Sequence, residues 1–240
     1  MADYPKGFVD FHSHILPGAD DGADSLETSL EMLAASKAQG VEIIVATSHY
    51  YNFRESVESF LARRDEAADK LLKHINEHDL DLPEIVIGAE VRLFPDISRE
   101  KNLSKLCIEG TKNILIEMPY SSWSGWMYNE IYALITMGYT PIMAHIERYL
   151  GPVSEKEITR KLLSMDVLVQ SNADSFSDWK MKRFVKKLIK QGKLTVIGSD
   201  CHNMEHRKSH FDDAVCYIVK KYGEEYFNVM MKNAMYLIGK

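Results

Sequence analysis

Seven short apolar runs punctuate this chain, at residues 8–11, 41–46, 85–87, 114–116, 141–144, 167–169 and 194–197. They are near-continuous in apolar residues rather than alternating, the pattern of strands buried on both faces. Longer amphipathic stretches lie between them and predict helices over 25–39, 54–78, 123–137, 154–164 and 176–191. Gly40, Gly138 and Gly192 stand where three of these should stop, and Ser25 supplies N-cap chemistry for the first. Strand signals alternating with helices imply parallel βα units. For 240 residues the expected closed form is a single-domain α/β barrel of the (β/α)8 kind, one unit short. An open doubly wound sheet is the alternative.

The polar residues follow the apolar runs. The first run leads into His12-Ser13-His14, with Asp20-Asp21-Gly22 just beyond. The second ends at His49, the third at Glu90 and the fourth at Glu117. The fifth leads into His145-Ile146-Glu147-Arg148 and the seventh into Ser199-Asp200-Cys201-His202. In barrels and open α/β sheets alike, functional sites form at the carboxyl ends of strands. His12 and His14 are two apart, so on a strand they share a face, where imidazole nitrogens grip a divalent ion at roughly 2.0–2.2 Å. With His49, Glu90, Glu117, His145, Asp200 and His202 in corresponding places, the donors exceed the positions around one ion. A cluster of two or three ions, bridged by Glu90 or a hydroxide, is expected.

The order His-x-His, Asp-Asp-Gly, a distal His, Gly-x-Glu, His-x-Glu-Arg and Ser-Asp-x-His resembles the PHP (polymerase and histidinol phosphatase) superfamily. The opening from Asp10 to Gly22, DFHSHILPGADDG, is most similar to its bacterial manganese-dependent tyrosine-phosphatase branch, associated with capsule and exopolysaccharide systems. The resemblance runs from about Val9 to Arg207. It implies a distorted (β/α)7 TIM-like barrel over 1–240 with a trinuclear centre. His12, His14, Glu90 and Asp200 would hold one ion; Glu90, Glu117 and His145 a second; Asp21, His49 and His202 a third. Arg148 matches the family's phosphate-binding arginine. Arg207 and Tyr50, which stands where the family often has a second His, are the further substrate-binding candidates. Ile146 and Ser48 replace prolines of the family pattern, which bears on loop shape. The implied activity is hydrolysis of phosphotyrosine by a metal-activated hydroxide, in a protein partner that the family likeness makes a tyrosine kinase of polysaccharide synthesis or export.

Charge fits such chemistry. The 29 Lys and Arg against 35 Asp and Glu leave a net charge of −6, which alone would repel a phosphate dianion. Three divalent ions reverse the field locally, and Arg148 can clamp phosphate oxygens. A phenolate of parent pKa about 10 leaves more readily than an alkoxide, so protonating it is helpful rather than decisive. Asp200, His202 and a metal-bound water are the candidates for that proton. Five imidazoles with four carboxylates suit Mn, Fe or Zn better than the all-oxygen preference of Mg or Ca. The resemblance points to Mn, with Fe, Zn or Mg as alternatives.

The remaining composition narrows the field. At 45% hydrophobic and 27% charged, the chain is an ordinary globular one. No apolar run approaches the ~18 residues of a membrane span, and residues 1–7 lack a signal-peptide pattern. Three cysteines without a CxxC pair argue for a reducing cytoplasm, and the acidic balance offers no nucleic-acid surface. Cys201 to Arg207 spells Cys-x5-Arg, the nominal signature of cysteine-based phosphatases, but Asn203, Met204, Glu205 and His206 replace the small residues of a phosphate loop. A histidinol-phosphatase-like phosphoesterase is the nearest alternative, and a non-phosphate amidohydrolase, which also starts from His-x-His, the more distant one. His74 with His78 reads as a solvated helix face. Of the aromatics near strand ends, Trp123, Trp126, Tyr128, Tyr50, Tyr51 and Phe53 are packing residues or flank a substrate ring.

Overall fold

The computed structural model describes residues 7–240. The reading that no secretory leader is present rests on residues 1–7, all but the last of which lie outside the described part. The seven apolar runs all form strands. They are β1 (Phe8–Ser13), β2 (Val41–Ala46), β4 (Glu84–Ile87), β6 (Asn113–Glu117), β7 (Thr140–Met143), β8 (Leu168–Asn172) and β9 (Val196–Gly198). Two short strands, β3 (His49–Tyr50) and β5 (Glu90–Arg92), resume β2 and β4 after breaks at 47–48 and 88–89. All pairings are parallel, in two sheets ordered β1-β2-β4 and β3-β5-β6-β7-β8-β9. The paired breaks let β3 and β5 meet with His49 opposite Glu90. At the other end β9 returns to β1, where Asp200 N–H donates to His12 C=O at 2.7 Å and His14 N–H to Cys201 C=O at 2.9 Å.

The helices are α1 (Leu26–Ala38), α2 (Val57–Glu77), α3 (Gly125–Thr136), α4 (Glu155–Arg160), α5 (Trp179–Lys190), α6 (Phe211–Tyr222) and α7 (Glu224–Leu237). Ser25 caps α1 by accepting from Thr28 N–H, and Gly40 reverses the chain into β2 at a φ of +91°. Three expected helices are shorter than their patterns. Residues 52–54 form a turn before Ser56 caps α2, and 3-10 turns occupy Leu162–Ser164 after α4 and Ala173–Phe176 before α5. Helices α6 and α7 close the fold against β1, with the Phe8 ring packed on Phe211 and Phe227. Met230 and Met231 are buried in that packing.

Two apolar clusters result. The larger lies between strands and helices. The smaller is an interior plug of Val9, Phe11, Val45, Leu115, Ile142 and Val196, floored by Ala234 and Leu237 of α7. The β1–β2 pairing is irregular between Asp10 and Ser13. Simple alternation would send His12 to the side opposite Phe11. The irregularity resets the parity, so the plug ends at Phe11 and His12 and His14 project into a polar interior above it.

Candidate metal centre

Glu90, the first residue of β5, is fully buried and sits at the hub. Its Oε2 lies 3.2 Å from His12 Nε2, 3.3 Å from His14 Nε2 and 3.0 Å from His49 Nδ1, while Oε1 lies 2.7 Å from His145 Nε2. Asp200 Oδ1 adds a second carboxylate, 3.6 Å from His12 Nε2 and 3.3 Å from His14 Nε2. Toward the opening, Asp21 Oδ1 is 3.5 Å from Nε2 of both His49 and His202. Three sets of donors converge: His12, His14 and Asp200; His49, Glu90 and Glu117; and His14, Asp21, His49 and His202. His145 joins through Glu90. All nine residues expected to be ligands therefore meet in one place, with His14 drawn nearer Asp21 than the expected grouping had it.

These donors fit divalent ions. The Nε2 atoms of His12 and His14 point at each other 3.1 Å apart, about the 3.0 Å separating two nitrogens at right angles around an ion 2.1 Å away. Glu117 Oε2 is buried without a hydrogen-bond partner, and His49 Nδ1 and His202 Nε2, though near Glu90 and Asp21, are buried without a well-directed one. Orphaned buried donors and acceptors are costly, and a cation satisfies all three. Burial opposes ionisation of Glu90 and Asp200, yet the surrounding imidazoles, helped at Asp200 by Arg148, hold both well below the usual carboxylate range. Glu117 is pushed up by burial and by the Glu90 charge.

The ligands are aimed by neighbours. Asp20 Oδ2 accepts from His14 Nδ1 at 2.7 Å and from His49 N–H at 2.8 Å, and its Oδ1 accepts from Gly22 N–H at 3.0 Å. His12 Nδ1 bonds Gln170 Oε1 at 3.3 Å, the same oxygen that accepts from His145 N–H at 2.6 Å. Gln170 then donates to Asn172 Oδ1, and Asn172 to Asp200 Oδ2, at 2.9 and 2.8 Å. Each of these contacts leaves the ring's other nitrogen free to face the centre. Gly198 permits the close strand approach here, because a Cβ on it would lie 2.5 Å from His12 Cβ. His145 and Asp200 both have positive φ, +30° and +53°. Non-glycine residues there are strained and are held by their surroundings.

Two arginines lean on Asp200: Arg148 Nη2 at 2.7 Å from Oδ2 and Arg207 Nη2 at 3.1 Å from Oδ1. Arg148 is carried on a 3-10 turn, Ile146–Tyr149, pinned on both sides. Glu147 Oε1 accepts from Asn172 N–H at 2.9 Å, and the buried Tyr149 hydroxyl accepts from Met118 N–H at 2.8 Å. The adjoining pocket, about 230 Å³, is lined by Asp20, Asp21, His49, Tyr51, Arg54 and Arg63 among others.

The family model for capsular polysaccharide synthesis, CpsB/CapC, matches residues 8–239. The chain belongs to the CpsB/CapC family. Its relatives include the tyrosine-protein phosphatase YwqE of Bacillus subtilis, 31% identical over an alignment of 236 residues that covers 96% of this chain and 91% of YwqE. A solved structure described as YwqE from Bacillus subtilis and CpsB from Streptococcus pneumoniae, metal-dependent tyrosine phosphatases, is similar with a TM-score of 0.82. Its identity is 29%, over 96% of this chain and 94% of that one. An organophosphorus hydrolase from Deinococcus radiodurans, 11% identical, has a TM-score of 0.58 over 97% of this chain and 92% of that chain, a likeness of fold alone.

Two expectations for this CpsB/CapC chain need correction or closing. Tyr50 is not at the site: alternation along β3 turns His49 inward and Tyr50 outward, where its ring packs on Phe60 and Phe94. Its neighbour Tyr51 stacks on His49 instead, with ring centroids 5.0 Å apart and Arg54 over it at 4.7 Å. Cys201 is buried, and burial pushes its thiol up to about 12, so the Cys-x5-Arg string does not make a nucleophile. Trp123 is a packing residue, edge-on to Tyr149, and His74 stacks with His78 on a helix face away from the centre. Sequence reasoning missed Asp20, Gln170 and Asn172. The apolar run at 167–169 conceals that β8 continues through Gln170, Ser171 and Asn172, all buried. Asp20 could have been suspected as the second carboxylate of Asp20-Asp21-Gly22.

Proposed function

We propose that this chain is a metal-dependent phosphomonoester hydrolase that acts on phosphotyrosine in a protein partner, the partner being a bacterial tyrosine kinase of polysaccharide synthesis or export. The observation that carries this reading is the gathering of five imidazoles and three further carboxylates around Glu90, with two arginines beside it on Asp200. The names of the relatives support the phosphotyrosine part. We also read the two sheets as one distorted (β/α)7 barrel in a single domain over 1–240, working in the cytoplasm.

In this reading three divalent ions, Mn foremost and Fe, Zn or Mg as alternatives, are held by His12, His14, Glu90 and Asp200; by Glu90, Glu117 and His145; and by Asp21, His49 and His202. When bound, they supply concentrated positive charge against the phosphate and acidify water to a nucleophile near neutral pH. The chain's own residues do the rest. Arg148 and Arg207, now on Asp200, can turn bidentately to the phosphate oxygens and stabilise charge as the ester bond breaks. Asp200 acts by holding Arg148 on the ligand side of the pocket. His202 Nδ1 is tied to Asp200 C=O at 2.9 Å, which leaves Nε2 unprotonated and suits a ligand rather than an acid. With Asp200 held ionised as well, the phenolate departs with little protein assistance, as its parent pKa of about 10 allows. Tyr51, which lines the pocket between His49 and Arg54, flanks the substrate ring, taking the part first assigned to Tyr50.

The test is phosphate release from a phosphotyrosine peptide and from histidinol phosphate, after EDTA stripping and with Mn restored. Mn-dependent release favouring the peptide is expected. Faster release from histidinol phosphate would keep the centre and discard the phosphotyrosine substrate. Activity that survives the chelator would discard the metal reading.

A further inference from the structure

Helix α5 carries a feature that hydrolysis does not use. Trp179, Lys182, Arg183, Lys186, Lys187 and Lys190 fall at i, i+3, i+4, i+7, i+8 and i+11, one straight stripe along the helix. They line a shallow groove of about 470 Å³. The opposite face, Phe184, Val185, Leu188 and Ile189, is buried and settles why the helix exists. It does not explain the stripe. Like charges at these spacings destabilise a helix. Among the described residues only Lys187 of the five cations is paired with a carboxylate, Glu155 at 2.6 Å. Trp179 is 74% exposed at the head of the stripe. Five cations on one face of a protein whose net charge is −6 are a local inversion of its field.

We propose that this stripe is a peripheral docking surface for anionic lipid. The chemistry is that of interfacial helices, with long-stemmed point cations reaching phosphate headgroups and a tryptophan at the headgroup level. An acidic polypeptide is the competing partner, and the geometry favours it less. The stripe belongs to one helix, so it offers no free backbone edge, and the groove is bounded by long Lys and Arg side chains rather than by pockets that could read side chains. The placement has a consequence. α5 follows the carboxyl end of β8, whose Asn172 touches Asp200, so Trp179 stands at the end of the fold that holds the metal centre. The stripe therefore starts at that end and runs away from it along the side of the fold to Lys190.

Each cation near such a surface is worth about fivefold in binding, and the attraction decays within a Debye length. The experiment is co-sedimentation of the full chain with vesicles of equal phosphatidylglycerol and phosphatidylcholine, and with phosphatidylcholine alone. It is run at low and high salt, with polyglutamate as the soluble competitor. We expect binding to the anionic vesicles only, lost at high salt, with a blue shift in tryptophan emission that disappears in Trp179→Phe. Lys186→Gln/Lys190→Gln should bind about 25-fold more weakly while hydrolysing a small aryl phosphate at the wild-type rate, which shows that it folds. Absence of vesicle binding at low salt overturns the proposal. So does binding that the double variant leaves unchanged, because another surface would then be responsible. Capture by polyglutamate without vesicle binding overturns it in favour of an acidic polypeptide.

Discussion

Removing the Asp20 side chain tests the way the centre is built more sharply than removing a ligand does. In Asp20→Ala three donors lose their acceptor at once: His14 Nδ1, His49 N–H and Gly22 N–H, now bonded at 2.7, 2.8 and 3.0 Å. Two of these belong to proposed ligands, so the loss loosens both the ring of His14 and the backbone that carries His49. Deleting an outer partner of a metal-bound histidine typically costs 10–100-fold in metal affinity, or about 1.4–2.7 kcal/mol. We expect Mn affinity, read by isothermal titration calorimetry, to fall within that range. Apo stability should fall by about 2–4 kcal/mol, since bonds to a buried carboxylate are worth roughly 1.5–3 kcal/mol each and part is regained from water. Asp20→Asn keeps an oxygen toward His14 and His49 when its amide nitrogen turns to Gly22, so its affinity loss should be smaller. The pH dependence has a defined sign. Burial works against the Asp20 carboxylate, but His14 and the donated hydrogen bonds hold its pKa below the ordinary 3.8. Its stabilisation is complete above that value and is lost as pH falls through the folded value, so wild type and Asp20→Ala should converge in stability in acid. An Mn affinity for Asp20→Ala within threefold of wild type would refute the idea that Asp20 orients the ligands.

Further outcomes follow from single contacts. Arg148→Ala should lower kcat by about 10²–10³ with Mn binding retained, since it removes charge stabilisation and no ligand; loss of Mn binding would show that the turn itself had collapsed. Tyr51→Ala should raise KM for a phosphotyrosine peptide about three- to tenfold, whereas Tyr50→Ala should leave KM alone and cost about 3 kcal/mol in urea unfolding, as expected for a buried aromatic. Iodoacetamide at pH 8 should leave phosphatase activity intact while EDTA abolishes it, because the Cys201 thiol is buried and pushed up to about 12; inactivation tracking Cys201 alkylation would contradict this. Gly198→Ala should abolish expression of folded protein or displace β9 from β1, measured by near-ultraviolet circular dichroism, because its Cβ has no room beside His12.

The sequence alone determined the strand–helix alternation, the strand ends that carry the chemistry, and the nine donors. These are local signals. A double-sided strand has to be apolar along its length, and a metal donor at its carboxyl end has to interrupt that run, so both are written in the order of residues. Only the tertiary structure decided which way those donors face. The irregular pairing between Asp10 and Ser13 turns His12 and His14 into the interior, where simple alternation from Phe11 would not have sent His12. The two-residue strand β3 separates His49 from Tyr50 and hands the pocket to Tyr51. Gln170 and Asn172 were illegible because polar residues at the end of a buried strand resemble a loop until the partners they satisfy, His12, His145 and Asp200, are seen across the fold. Such roles depend on distance between residues far apart in the chain, and periodicity reports only on neighbours along it.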